Sequence, residues 1–248
     1  MNLQGKTAIV TGGGRDIGRA CVMRLAEAGA QIAINYHSSS EGAESAVKAI
    51  EAAGGKAFAK QGDMTQQADV DALVAATVEA YGCVDTLIHV TGGLVARVST
   101  KEMTLPHWHN VLDLNLTSLF LTVQACQPHM KAGSSIVTFA SQAGRDGGGP
   151  GSSVYAASKG AVMTYTRSLA KELGPDIRVN SLCPGMIDTD FHNTFTKDEV
   201  RAHVAGITPL KREGTSEDVA NLAVYLASDQ AAFMTGTNVD INGGLLFS

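Results

Sequence analysis

Three features of this 248-residue sequence predict an α/β fold, a doubly wound parallel sheet with helices on both faces. Short runs rich in Val, Ile and Ala alternate with longer segments of helical periodicity almost from end to end. A glycine-rich turn follows the first apolar run, and no Pro/Ser-rich linker or charge block divides the chain. Apolar strands separated by helices return in parallel through right-handed crossovers, and a parallel sheet is covered on both faces. Residues 1–248 therefore read as one domain.

The elements follow in order. Residues 6–10 form a buried strand, and Ile17, Cys21, Leu25 and Ala28 mark a helix over 17–29, closed by Gly29. A second strand at 31–36 leads to a helix at 41–53 that ends at Gly54-Gly55, then a strand at 56–60 and a helix at 66–81. An apolar strand at 84–90 precedes a long helix at about 106–131 and a strand at 135–140. A helix over 153–173 stops at Gly174-Pro175, and a strand at 177–182 follows. Residues 184–214 read as irregular, and a helix at 216–228 and a strand at 237–241 complete the chain. The sum is a seven-stranded Rossmann-type sheet. A structureless stretch as long as 184–214 is usually functional, so it is expected to be a substrate lid.

Composition closes several classes. A net charge of -5 lacks the basic footprint of a nucleic-acid binder. The apolar runs are too short for a transmembrane helix, and Met1–Lys6 resembles no secretory signal, so a cytoplasmic protein is expected. Cys21, Cys83, Cys126 and Cys183 are scattered without metal-ligand spacing, so buried free thiols and no metal are expected.

Thr11-Gly12-Gly13-Gly14-Arg15-Asp16-Ile17-Gly18 lies between the first strand and the first helix. Backbone that approaches a pyrophosphate needs residues without Cβ, and a helix start supplies N–H donors and a favourable dipole. A dinucleotide site is expected there. After the second strand, where a carboxylate would hold the ribose of NAD, the sequence runs Asn35-Tyr36-His37-Ser38-Ser39-Ser40. Arg15 could reach a 2′-phosphate, with hydroxyls from Ser38 and Ser39, so NADP(H) is favoured over NAD(H).

Tyr155 and Lys159 stand four residues apart on one helix, which sets them on one face. A neighbouring ammonium favours the phenolate, so the Tyr155 pKa is expected to fall toward working pH. Ser141 ends the preceding strand, at the carboxyl edge where open α/β sheets bind ligands.

These residues together resemble the short-chain dehydrogenase/reductase family, and the 3-oxoacyl-carrier-protein-reductase-like branch within it. The resemblance spans the chain: Thr-Gly-x-x-x-x-x-Gly at 11–18, Asp63, Asn115 in Asp-Leu-Asn-Leu, Ser141, Tyr155-x-x-x-Lys159, Cys183-Pro184-Gly185, Thr235-Gly236 and Asp240-Ile241-Asn242-Gly243-Gly244. It implies reduction of a ketone or aldehyde to an alcohol by hydride transfer, with Tyr155 as acid/base. Lys159 would lower the tyrosine pKa and hold the nicotinamide ribose, Ser141 would orient the carbonyl, and Asn115 would hold a relay water. Asparagine is a poor mid-helix residue, so a kink is expected at 115. The implied cofactor set is Gly12, Gly14, Arg15, Asp16, Ile17, Gly18, His37, Ser38, Asp63, Met64, Thr91, Gly92, Tyr155, Lys159, Pro184, Gly185, Ile187 and Thr189. The resemblance also implies a homotetramer packed through the helices at 106–131 and 153–173.

Two departures stand out. The family's middle glycine of the turn is Asp16, tolerable if its carboxylate points away or caps the helix. The family's Asn-Asn-Ala-Gly appears as His89-Val90-Thr91-Gly92, with His89 expected to be a packing residue. A non-catalytic dinucleotide-binding regulator is the rival from another class, opposed by the intact Asn115, Ser141, Tyr155 and Lys159. For the substrate, Gln142, Arg145, His192 and also Arg97 are expected to recognise hydroxyls or a carboxylate. Segments 128–133 and 172–176 are poor in basic residues, which opposes docking of an acidic acyl carrier. A small polar or sugar-derived keto compound is expected, with 3-oxoacyl-carrier-protein reduction as the alternative.

Overall fold

The computed structural model describes residues 1–247. Seven strands form one sheet: β1 Thr7–Thr11, β2 Gln31–Tyr36, β3 Ala57–Gln61, β4 Thr86–His89, β5 Ser134–Phe139, β6 Ile177–Pro184 and β7 Asn238–Ile241. All pairs are parallel, in the order β3-β2-β1-β4-β5-β6-β7. The order reverses between β1 and β4, whose carboxyl ends meet at Thr11 opposite His89. A crevice opens at such a switch point, outside the strand ends.

Successive strand residues face opposite sides, so each strand feeds two cores. Val10, Ile32, Ile34 and Ile88 pack against α1 Asp16–Glu27, α2 Ser40–Ala52 and α10 Ser216–Ala227 through Leu25, Ala46 and Ala223. Ile9, Leu87, Ile136 and Val179 pack on the other side against α3 Gln67–Tyr81, α5 Ser118–Cys126 and α7 Ser153–Leu173 through Leu73, Leu119 and Val162. α10 begins with a reciprocal cap, in which Thr215 accepts from the Asp218 N–H and Asp218 accepts from the Thr215 N–H. Among the described residues no helix is long and apolar enough to cross a membrane, and no cluster of His, Cys, Asp and Glu could hold a metal. All four cysteines are free; Cys21, Cys126 and Cys183 are buried as expected, while Cys83 is partly exposed.

Two expectations are corrected. The helix at 106–131 is not continuous: α4 Leu105–Leu112 passes through a π turn at Asp113–Thr117 into α5, and a 3₁₀ turn at Gln127–His129 ends it. The irregularity is centred on Asn115, where the asparagine suggested a kink. The segment 184–214 is not structureless, because it holds α8 Asp190–Phe195 and α9 Asp198–Ile207. Neither contains a buried residue, although α9 carries Val200, Val204 and Ile207 at helical spacing, a short stripe that sequence reasoning passed over. A four-residue helix, α6 Ala143–Asp146, also forms inside the glycine-rich loop after Ser141.

Candidate active site

A cavity of about 950 Å³ runs along the carboxyl edge of the sheet, from the 37–39 segment past the Gly-rich turn to α8. The turn is shaped by glycine where no side chain fits. A Cβ at Gly18 would collide with the Gly12 carbonyl, and one at Gly14 would lie 2.6 Å from the Ser39 carbonyl oxygen. Gly12 itself sits at φ +63, a conformation that favours glycine. Asn35, at the end of β2, holds the turn from below. Its backbone carbonyl accepts from the Gly13 N–H at 2.8 Å, its side-chain oxygen accepts from the Gly12 N–H at 3.3 Å, and its amide donates to the Gly62 carbonyl at 3.0 Å. Sequence reasoning passed over Asn35, although a buried polar residue closing an apolar strand was a usable signal.

Asp16 adopts φ +46, open to Asp at a lower cost than to most residues. Its carboxylate points away from its own helix and accepts from the Asp190 N–H, at the start of α8, at 3.4 Å. Burial raises the Asp16 pKa, with the Asp190 N–H pulling it back. Arg15 is exposed and pairs with the Asp190 carboxylate at 3.5 Å. After β3, Asp63 accepts from the backbone and the hydroxyl of Thr65 through one carboxylate oxygen, at 2.9 and 2.8 Å.

At the other end, α7 carries Tyr155 and Lys159 into the cavity beside Ser141. The Lys159 Nζ is 5.7 Å from the Tyr155 ring centre and donates to the Phe139 carbonyl at 2.7 Å. Burial pushes the ammonium down to about 8. The expected fall in the tyrosine pKa is corrected. Burial raises the Tyr155 phenol, and a hydrogen bond with Ser141 only partly offsets it. The lysine proton is spent on a carbonyl instead, and both groups pay for leaving water. Asn115 is buried in the π turn and does not line the cavity. Its amide donates to Gly93 and Val111 carbonyls, both at 2.8 Å, and its oxygen accepts from the Gly93 N–H at 3.0 Å. A Cβ on Gly92 would lie 2.7 Å from that oxygen and 2.9 Å from Lys159 Nζ, so the asparagine holds this loop against the lysine.

His89 is the packing residue expected of it, with a defined polarity. Ser118 donates to the Leu114 carbonyl, so His89 Nε2 donates to Ser118 Oγ at 3.2 Å. Its Nδ1 is then an acceptor for the Thr11 hydroxyl at 3.2 Å, and Thr11 accepts from the Thr91 N–H. Burial, with the nearby Lys159 charge, lowers the ring to about 3 and keeps it neutral.

Of the residues expected at the site, all but Asn115 and Arg145 line the cavity. Arg145 is corrected: its guanidinium points to β7, donating to the Asp240 carboxylate at 2.7 Å and the Asn238 carbonyl at 2.6 Å. Arg97 lines the cavity but spends donors on the Phe195 and Pro150 carbonyls, both at 2.9 Å, stapling α8 to the 147–151 loop. Gln142 donates to Asp146 and leaves its own side-chain oxygen unpartnered, while His192 is neutral, its pKa lowered to about 4 mainly by burial. Phe191 stacks obliquely on Tyr155 at 5.8 Å and edge-on to Phe195 at 5.2 Å, an aromatic wall that sequence reasoning did not find.

Comparison with known proteins agrees with this layout. A family model described as enoyl-(acyl carrier protein) reductase matches residues 12–246. The chain is 35% identical to the 3-oxoacyl-[acyl-carrier-protein] reductase of Staphylococcus aureus, covering 97% of this chain and 98% of that one. Its fold matches a short-chain dehydrogenase/reductase from Serratia marcescens with TM-score 0.93 at 34% identity, over 99% of both chains. It matches equally a blue fluorescent protein from a metagenomic library in complex with NADPH, with TM-score 0.93 at 34% identity over the full length of both.

Proposed function

The chain belongs to the short-chain dehydrogenase/reductase family of NAD(P)-dependent oxidoreductases acting on carbonyl or alcohol groups, and on that premise we propose that it reduces a ketone or aldehyde with NADPH, Tyr155 giving the proton. One observation carries the reading: Ser141, Tyr155 and Lys159 converge on the same cavity that receives the Gly-rich turn. Glycine packing without room for a Cβ suits a close-lying pyrophosphate, and the bound cofactor would supply the hydride.

The residues then take these roles. The Tyr155 phenol, held protonated by burial, delivers its proton to the developing alkoxide, while Ser141 hydrogen-bonds the carbonyl oxygen and keeps it within reach. The Lys159 ammonium stabilises the phenolate left behind. Asn115 fixes the 92–93 loop against Lys159, where a relay water would be held. Asp63 and Met64 receive the adenine, and Gly185, Ile187 and Thr189 the nicotinamide and phosphates. Arg15, His37 and Ser38 receive a 2′-phosphate. No carboxylate at the end of β2 competes for that position, which supports NADP(H) over NAD(H).

The two arginines expected to meet a carboxylate serve the protein's own carbonyls and Asp240. A small, uncharged polar keto compound fits what remains: an aromatic wall at Phe191 and Phe195, the neutral His192 and Gln142. The apolar wall also favours a second reading, a 3-oxoacyl thioester, which is what the Staphylococcus aureus relative is named for. The helices α5 and α7 would carry the contacts of a homotetramer, with Phe120 exposed on the first.

Oxidation of NADPH and NADH against 3-oxoacyl thioesters, keto acids, and uncharged ketones and aldehydes tests the reading. Fast NADPH turnover with an uncharged polar ketone supports it. Preference for NADH sinks the cofactor assignment, and preference for the thioester moves the substrate to the second reading.

A further inference from the structure

Asp16 departs from the family pattern, and the catalytic reading gives it no role. Its surroundings do. The left-handed backbone at Asp16 aims the carboxylate out of the turn and onto the first N–H of α8, which brings Asp190 beside the turn. The Asp190 carboxylate then meets Arg15 at 3.5 Å, and Arg15 also has Asp16 at 4.0 Å. On its other side Arg15 follows Gly14, which is packed against Ser39. Arg15 thus has its backbone beside the 37–39 segment and its guanidinium on the acidic start of the lid, with both segments lining one cavity.

We propose that Asp190 is a cofactor-discriminating residue, because its carboxylate competes with a ribose 2′-phosphate for the Arg15 guanidinium, with Asp16 holding Asp190 in place for the contest. The inference rests on the reading of Arg15 as the 2′-phosphate ligand. Both ion-pair partners are more than half exposed, so the competition is modest and screened by salt. NADH carries no 2′-phosphate and is indifferent to the contest. The pair thereby sets how strongly NADP(H) is preferred, and it ties that preference to the lid: an arginine drawn to the 2′-phosphate lets go of the start of α8.

A double-mutant cycle of Arg15→Ala and Asp190→Asn tests this, with binding of adenosine 2′,5′-bisphosphate and adenosine 5′-monophosphate read by calorimetry at low salt. Asp190→Asn is expected to tighten the bisphosphate about two- to fivefold, with a clearly smaller change for the monophosphate. In the Arg15→Ala background the same substitution is expected to leave the bisphosphate unchanged. Equal tightening of both ligands, tightening that persists without Arg15, or none at all overturns the proposal. If Arg15→Ala alone leaves bisphosphate binding intact, the 2′-phosphate reading of Arg15 falls as well. If Arg15→Ala weakens it while Asp190→Asn does nothing, only the competition falls.

Discussion

Helix α7 buries nine of its 21 residues, whereas α8 and α9, facing it across the cavity, bury none. The wall proposed to handle the proton is therefore part of the sheet's core, continuous with Ile136, Val162 and Val179. The facing wall is held by polar contacts. Arg201 binds Glu213 through two donors, at 2.8 and 2.6 Å, and Asp188 at 2.6 Å; Arg97 holds the end of α8, and Asp16 its beginning. Burial fixes the atoms that must be placed accurately. Charge and hydrogen bonds hold the segment proposed as a substrate lid, and lids belong to the low-stability end of a fold. Removing chemistry, core or clasp should give three distinct signatures.

Chemistry gives the largest effect. Tyr155→Phe keeps the ring on Phe191 and loses the proton, so turnover should fall about 10²- to 10⁴-fold. Cofactor affinity, read by fluorescence titration, should stay near that of the wild type. Retained turnover would remove Tyr155 from the mechanism. In the core, Ile136→Ala deletes a fully buried side chain beneath α7 and should cost about 2–5 kcal/mol of stability, visible as a lowered melting temperature. On the lid, Arg201→Gln should raise KM several-fold, up to about tenfold if the lost clasp is worth about 1.4 kcal/mol. The melting temperature should move far less than for Ile136→Ala. A large melting shift with unchanged KM would show the lid to be structural and abolish the contrast.

The pH dependence sharpens the comparison with smaller effects. On the core side, reduction should hold through neutral pH and decline above about 8, as Lys159 loses its charge. A pH–rate profile flat beyond pH 9 would contradict that role. The stability signs follow from linkage. His89 and His192, at about 3 and about 4, titrate below their ordinary 6.5. The unfolded chain takes up these protons first, so stability is unaffected above pH 6.5 and declines as pH falls toward 4. Lys159, also depressed, works in the same direction in a higher window: the fold gains as pH rises from about 8 toward 10.5. Melting temperature against pH for His192→Asn should show a shallower acid decline than the wild type.

The strands were readable to within two residues or so because a doubly covered sheet demands apolar runs that little else explains. The Gly-rich turn and the Tyr155/Lys159 pair were readable because each spans only a few consecutive residues, where spacing dictates proximity. The helices α8 and α9 are short, and the one stripe they carry, Val200, Val204 and Ile207 in α9, stays outside the core and was passed over. The fates of Arg145 and Arg97 depend on Asp240 and Phe195, each more than ninety residues away in sequence. The tyrosine pKa turned on burial, which raises the phenol by more than its Ser141 hydrogen bond offsets and which the four-residue spacing to Lys159 does not reveal. Sequence spacing shows which groups are near, and leaves unsettled which of them are already engaged.

The π turn at Asp113–Thr117 bears on how this chain can tolerate insertion and deletion. A π turn amounts to a surplus residue in an α-helix, so α4 and α5 are two helical wheels out of phase by about 100°. Removing one residue between 113 and 117 would make a better helix and a worse protein. α4 would rotate by that angle relative to the sheet, and Asn115 would leave Gly93. Asn115 apart, length is thus constrained here more tightly than identity: the rest of the segment should accept many exchanges of side chain and scarcely any change in the number of residues.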